Sequence, residues 1–203
     1  MIHNILPGII GQLVTVSGGC TPIQSVTEQI GSGTSNQSNA PFYGLYDYSV
    51  YAAIWEDTEF TGGSTTERNI QGIQFELAGY TTPYTYNNLS IYMAHCVEDV
   101  FPIGPAVDGS DLTLTDETLV WSGNYTISSN GFQSITLDTP FCYNGTSNLY
   151  VRFENRDGSW QSGFGWGEYA VAVDKAMYKF QDTTYPTGFG NEYNSRLNWK
   201  FEY

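Results

Sequence analysis

Residues 30–60 read IGSGTSNQSNAPFYGLYDYSVYAAIWEDTEF. A Gly/Ser/Thr/Asn run opens the stretch, an aromatic segment follows, and the apolar run Ser49 to Trp55 ends at Glu56 and Asp57. An apolar run of seven residues rich in Tyr, Val and Ile reads as a strand, because such side chains fit a pleated, buried surface. The rest of the chain repeats this grammar of short runs and turns.

Working towards the C-terminus, Ile73, Phe75 and Leu77 alternate with Gln74 and Glu76, which marks a half-buried strand. Leu89, Ile91 and Met93 line one face of a second such run, after a turn-rich segment at 80–88. Residues 98–117 carry Pro102, Pro105, Asp108, Gly109 and Asp111 and predict a long surface loop. Residues 118–127 and 132–143 read as two strands joined at Asn130-Gly131, a turn signal because both residues tolerate positive φ. Asn144-Gly145 supplies another turn, before Leu149, Val151 and Phe153 alternate with Tyr150, Arg152 and Glu154. Residues 156–167 read as a Gly/Trp/Ser loop, followed by strands at 169–173 and 175–180. In the last run Leu197, Trp199, Phe201 and Tyr203 alternate with Asn198, Lys200 and Glu202. Towards the N-terminus, residues 31–39 are a loop by composition and 23–30 a first strand.

About ten strands without a helical period predict an all-β fold, an antiparallel β-sandwich of the jelly-roll type, over residues 28–203. Residues 1–27 are expected to form an extended arm. Ile2, Ile5, Leu6, Ile9, Ile10 and Leu13 are apolar at helical spacing, yet Pro7, Gly8 and Gly11 oppose a helix. No basic residue precedes the run, so it fits a signal peptide poorly. Ser17-Gly18-Gly19-Cys20 resembles a lipoprotein cleavage site, with Ser17 where a larger apolar residue belongs. An apolar arm needs a partner to bury it, so a homo-oligomer or a larger assembly is expected.

The formal charge of −14 and seven scattered basic residues leave no stripe for phosphates, which excludes nucleic acid as a natural partner. An anionic membrane surface is disfavoured for the same reason, and no run is long enough to span a bilayer. Cys20, Cys96 and Cys142 lack metal-ligand spacing; buried free thiols are expected, with a Cys96–Cys142 bridge as the alternative.

The segments Ile30 to Ser35 (IGSGTS) and Pro41 to Ser49 (PFYGLYDYS), and the strand Val50 to Ile54, resemble a β-sandwich module of Bacteroidetes cell-surface proteins and tailed-phage virion proteins. Later segments follow that module in order: Ile70 to Phe75, Leu89 to Met93, Leu119 to Gly123, Gly131 to Leu137 with Thr139-Pro140-Phe141 as a central hairpin, and Asn148 to Arg152. The resemblance spans roughly residues 28–186. It implies a surface-displayed module. Members usually sit beside export signals and sorting domains, and this chain shows neither, so release with an assembled virus particle is the expected route.

Candidate chemistry is sparse. His95 and Cys96 are neighbours, but adjacent strand residues point to opposite faces and form no dyad. There is no nucleophile elbow and no P-loop. The carboxylate pairs Glu56/Asp57, Glu98/Asp99 and Asp116/Glu117 read as solvated loop residues, so no catalytic residue is assigned and no enzyme is expected. Asp108, Asp111 and Asp116 are the candidate calcium ligands, calcium being the one cofactor considered. Tyr43, Tyr46, Trp160 and Trp166 sit in loops and are the candidate contacts for a sugar ring or a protein. The expectation is therefore a non-enzymatic structural protein on the outside of a tailed-phage virion, as capsid decoration, head fibre or tail adhesion component. It would be held to other virion proteins by its arm. The alternative is a secreted bacterial carbohydrate-binding or adhesive module, located extracellularly or at the cell surface.

Overall fold

The computed structural model describes residues 20, 26–61, 67–79, 82–101, 116–161, 164–171, 174–187 and 190–203. The arm positions Ile2, Ile5, Leu6, Ile9, Ile10 and Leu13 lie outside the described residues, as do Asp108 and Asp111. The described chain forms two antiparallel sheets packed face to face, with one 3₁₀ turn, Asp57–Glu59. The first sheet contains β1 (Thr27–Ile30), β2 (Ser35–Gln37), β4 (Arg68–Gly79), β7 (Gly131–Tyr143), β9 (Gly165–Ala170), β12 (Ser195–Leu197) and β13 (Trp199–Glu202). The second runs in the order β11 (Asn191–Tyr193), β10 (Ala176–Gln181), β3 (Tyr48–Trp55), β8 (Asn148–Asn155), β5 (Tyr84–Cys96), β6 (Thr118–Ile127). In the first sheet β4 is flanked by β7 and β13, β13 by β1, and β9 pairs with β2, β4 and β12.

Strand alternation decides what each face buries. From β3, Tyr51, Ala53 and Trp55 enter the core between the sheets. Val50, Ala52 and Ile54 point the other way and join Ala94, Cys96, Phe101, Tyr150 and Met177 in a second apolar cluster on the outer face. The uninterrupted apolar run at 49–55 is thus a strand buried on both sides. Strand β8 keeps the alternation of Leu149, Val151 and Phe153 with Tyr150, Arg152 and Glu154, yet all eight of its residues are buried. Arg152 is sandwiched between Glu117 and Glu154, Arg156 pairs with Glu154 at 2.7 Å, and the ring of Tyr92 lies 4.2 Å from the Arg152 guanidinium. The described ends of the 98–117 connection provide part of this cover. Phe101 is 2% exposed, and its N–H donates to Asp174 O at 2.8 Å.

Several sequence expectations need correction. Residues 31–39 contain β2, which pairs with β9 through Ser35, Asn36 and Gln37. The 80–88 segment already belongs to β5 from Tyr84, because Tyr86 is drawn into the core. Asn87 and Asn88 are absorbed as a bulge, with Asn88 at φ 56°. Strands β6 and β7 are not a hairpin. They pair with β5 and β4 respectively, in different sheets, so the Asn130-Gly131 turn crosses the sandwich edge. The strand expected at 169–173 begins earlier, at Gly165. The C-terminal run keeps its alternation but breaks at Asn198, where the chain leaves β9 for β4 and β1. Asn198 is 1% exposed and fully engaged. Its N–H donates to Gly167 O, its carbonyl accepts from Glu76 N–H, its Oδ1 accepts from Gly33 N–H, and its Nδ2 donates to Gly33 O and Glu76 Oε2.

The cysteine expectation is also overturned. Cys20 and Cys142 form a disulfide with Cα atoms 5.3 Å apart, and Cys96 is the free, buried thiol. Cys96 points to the outer face of the second sheet while Cys142 stands on the exposed side of β7 in the first, so those two cannot meet. The bridge closes 122 residues, worth about 4–5 kcal/mol in chain-entropy terms. Denatured, unreduced protein is expected to titrate one thiol and reduced protein three. Cys20→Ser is expected to lower unfolding stability by up to about 5 kcal/mol, read by urea titration.

Buried ion pairs set the pH response. Burial pushes the Glu59 carboxyl up, but the hydrogen bonds and charge of Arg196 outweigh it and hold it below the ordinary value. Glu154 behaves alike, with burial overcome by Arg156 and Arg152. Burial lowers His95 more than its contact with the Cys142 backbone raises it; its Nε2 accepts the Asn144 N–H at 3.1 Å. For all three, the unfolded chain takes up protons first as pH falls, so acid destabilises the fold. The melting temperature is expected to decline gently below about pH 6.5 and steeply below about pH 4.3. Glu59→Gln is expected to flatten the steep part while lowering stability at neutral pH.

Candidate functional site

The strand registers give the sandwich two distinct ends. Tyr48, Asn155, Gln181, Gly79 and Gly131 lie at one, and Trp55, Leu149, Arg68 and Tyr143 at the other. The Cys20–Cys142 bridge sits at the second end, one residue from Tyr143. So do Val26 and Tyr203, joined by the Tyr203 N–H to Val26 O bond at 3.0 Å. A cavity of about 340 Å³ there is lined by residues including Glu28, Thr61, Arg68 and Tyr203. Its polar groups are mutually engaged, with Glu28 accepting from the Tyr203 hydroxyl at 2.7 Å and from the Thr61 N–H, and Arg68 3.7 Å away.

The first end carries the β2–β3, β8–β9 and β10–β11 loops. Gln161 N–H donates to Gly44 O, and Gly158 N–H donates to Asp47 O at 3.0 Å. These two bonds hold residues 44–47 against 158–161, so that Leu45, in the turn closed by the Tyr46 N–H to Tyr43 O bond at 3.3 Å, and Trp160 stand on adjoining loops. Both are exposed, at 46% and 64%. The Trp160 loop is fastened on several sides. Asp157 accepts from the Tyr84 hydroxyl at 2.5 Å and from Asn87 Nδ2 at 2.9 Å, and Arg156 N–H donates to Asn88 O at 3.2 Å. Gln161 Nε2 reaches Thr82 at 3.0 Å. Gly158 turns the chain at φ +71°. Asp182 accepts from the Asp47 N–H, and Asp47 from the Thr183 N–H, both at 3.3 Å, tying in the third loop.

Beneath Leu45, Tyr43 and Tyr46 pack on Phe180 with ring centroids 4.5 and 4.2 Å away, and Tyr178 stacks on Phe180 at 5.7 Å. Tyr43, Tyr46 and Trp160 therefore do gather at one end, with the two tyrosines half-buried. Trp166 does not join them. It is 0% exposed, because the β9 alternation turns it inward against Phe75 at 5.5 Å and Phe42 at 6.1 Å. Leu45 and Phe180 escape a sequence reading: the bonds between 44–47 and 158–161 bring Leu45 to this end, and the pairing of β10 with β3 brings Phe180 under Tyr43 and Tyr46.

The remaining candidates have structural partners. Glu56 pairs with Lys175, Glu117 with Arg152, and Asp99 accepts from Asn148 at 2.9 Å. His95 stacks on Tyr143, on the face of β5 opposite Cys96. Asp116 is exposed, and among the described residues no group of three or more His, Cys, Asp or Glu is placed to hold a metal. The tip itself is acidic, with Asp47, Asp157 and Asp182. The one basic residue of its described loops, Arg156, is turned onto Glu154 and the Tyr185 ring.

The close approach of the two loops demands glycine at position 44. A Cβ there would lie 2.1 Å from Gln161 O and 2.9 Å from the Tyr86 hydroxyl. Gly44→Ala is expected to cost about 1–3 kcal/mol and to speed hydrogen exchange at the Gly158 and Gln161 amides. Unchanged exchange would show that the register does not hold the loop.

No protein-family model matches the chain, and a search of curated proteins finds no match.

Proposed function

We propose that the chain is a non-enzymatic structural protein displayed on the outer surface of a tailed-phage virion, anchored through its N-terminal residues. The observation that carries this reading is the separation of the two ends. Cys20, the described residue nearest the N-terminus, is bridged at one end, and the exposed Leu45 and Trp160 stand at the other. Anchor and contact surface thus do not compete for space. The strand order supports the same reading. Setting aside β2, β9 and β12, the first sheet runs β1–β13–β4–β7, and the second runs β3–β8–β5–β6 with β10 and β11 added at its edge. The chain alternates between them in the manner of a jelly roll, an architecture shared by viral capsid and lectin domains. The charge of −14 keeps crowded copies soluble and suits a module displayed at high local concentration.

A second reading, a secreted bacterial adhesive or carbohydrate-binding module, is favoured by the disulfide, which belongs to an oxidising environment. The two part on what residues 1–19 do. Deleting them is expected to leave the 20–203 body folded with its bridge intact and to abolish recovery of the protein with purified particles. Undiminished recovery would remove the anchor, and absence of the full chain from particles would favour the secreted module.

A further inference from the structure

We infer that the Leu45–Trp160 tip binds a neutral saccharide, with one sugar ring stacked on the Trp160 indole. This deepens the display reading and rests on it. Three observations converge. Trp160 is the one exposed Phe, Tyr or Trp of the described chain, yet its loop is tied down through Arg156, Asp157, Gly158 and Gln161. An indole held out by a fixed loop loses little freedom when a ligand arrives, which is how a preorganised site gains affinity.

The exposed apolar area is small. Two side chains offer at most a few hundred Å², against the roughly 800 Å² per partner of a stable protein interface. A ring-sized ligand fits that footprint. A sugar offers a C–H face to an aromatic plane and hydroxyls around its rim, the mixture of apolar body and polar edge that aromatic sites accept.

Charge decides which sugar. Asp47, Asp157 and Asp182 lie in or against the tip loops, Arg156 is spent on Glu154, and the Lys179 ammonium donates to the Thr187 carbonyl. Uronic acids, sialic acids and anionic lipid would be repelled. Hydroxyl donors instead meet carboxylate oxygens and the Gln161 amide, whose Nε2 is held by Thr82. Repetition of the module on one particle would raise weak single-site binding by avidity.

The test uses the full chain on an array of neutral and anionic oligosaccharides, followed by solution titration of the strongest neutral ligand read by tryptophan fluorescence. Binding to neutral glycans is expected, with a blue shift on saturation. Trp160→Ala is expected to weaken it more than tenfold at unchanged melting temperature, since the side chain is exposed. Trp160→Phe should stay within a few-fold of the parent, and Leu45→Ser should lose several-fold. Silence of the folded protein on every neutral glycan, a response to anionic glycans alone, or full binding by Trp160→Ala would each overturn the inference. Particle recovery of the parent chain separates this from the display reading. A parent chain that is recovered with particles but binds no neutral glycan sinks only the saccharide, whereas failed recovery of the parent chain sinks the display.

Discussion

The indole of Trp199 is where the two sheets meet, and the rest of the molecule is arranged about it. It lies 5.2 Å from the Trp55 ring of β3, 5.8 Å from Phe75 of β4 and 5.4 Å from Phe153 of β8. Phe201, two residues on, reaches Trp55 and Phe60. Large rings in edge and tilted contact fill the roughly 10 Å gap between stacked sheets and add specificity beyond their buried area. Asn198, beside Trp199, is buried with a partner for each of its own backbone and side-chain polar groups, which lets the chain enter the core at this point.

Strands β3 and β8 of the second sheet have no wet face. On their outer side the apolar cluster lies beside the Glu117–Arg152–Glu154–Arg156 network, with Ala52 paired to Arg152 and Val50 to Glu154. Charges taken out of water are tolerated only when paired and hydrogen-bonded, and here each guanidinium meets a carboxylate. The effect is to stiffen β3 and β8, the strands whose ends support the loops of the tip. Arg196 plays the matching role within the first sheet, held by Glu59 and by the Ile54 carbonyl between the Trp55 and Tyr169 rings.

A rigid two-sided body explains why the ends are free to differ. At the bridged end, polar groups answer one another and a disulfide ties the entering chain to β7. At the other end, loops that pack closely enough to exclude any side chain at position 44 push two apolar residues outward. Exposure there is not a failure of packing. The half-buried Tyr43, Tyr46 and Phe180 show that the same loops bury aromatic rings a few ångströms below.

The strand content, the antiparallel sandwich and most of the core were legible in the chain, because period-two alternation and apolar runs such as Val50 to Trp55 are local properties. Partnership was not legible. Whether Cys142 meets Cys20 or Cys96, whether β6 pairs with β7 or with β5, and whether Trp166 faces water or Phe75 all depend on which sheet and which face a residue joins. Those choices are made by contacts between residues far apart in sequence, and a pattern read along one strand carries no information about its neighbour. Leu45 and Trp160 come to adjoining loops only because the Gln161 N–H to Gly44 O and Gly158 N–H to Asp47 O bonds join 44–47 to 158–161, a relation that exists in three dimensions and nowhere along the chain.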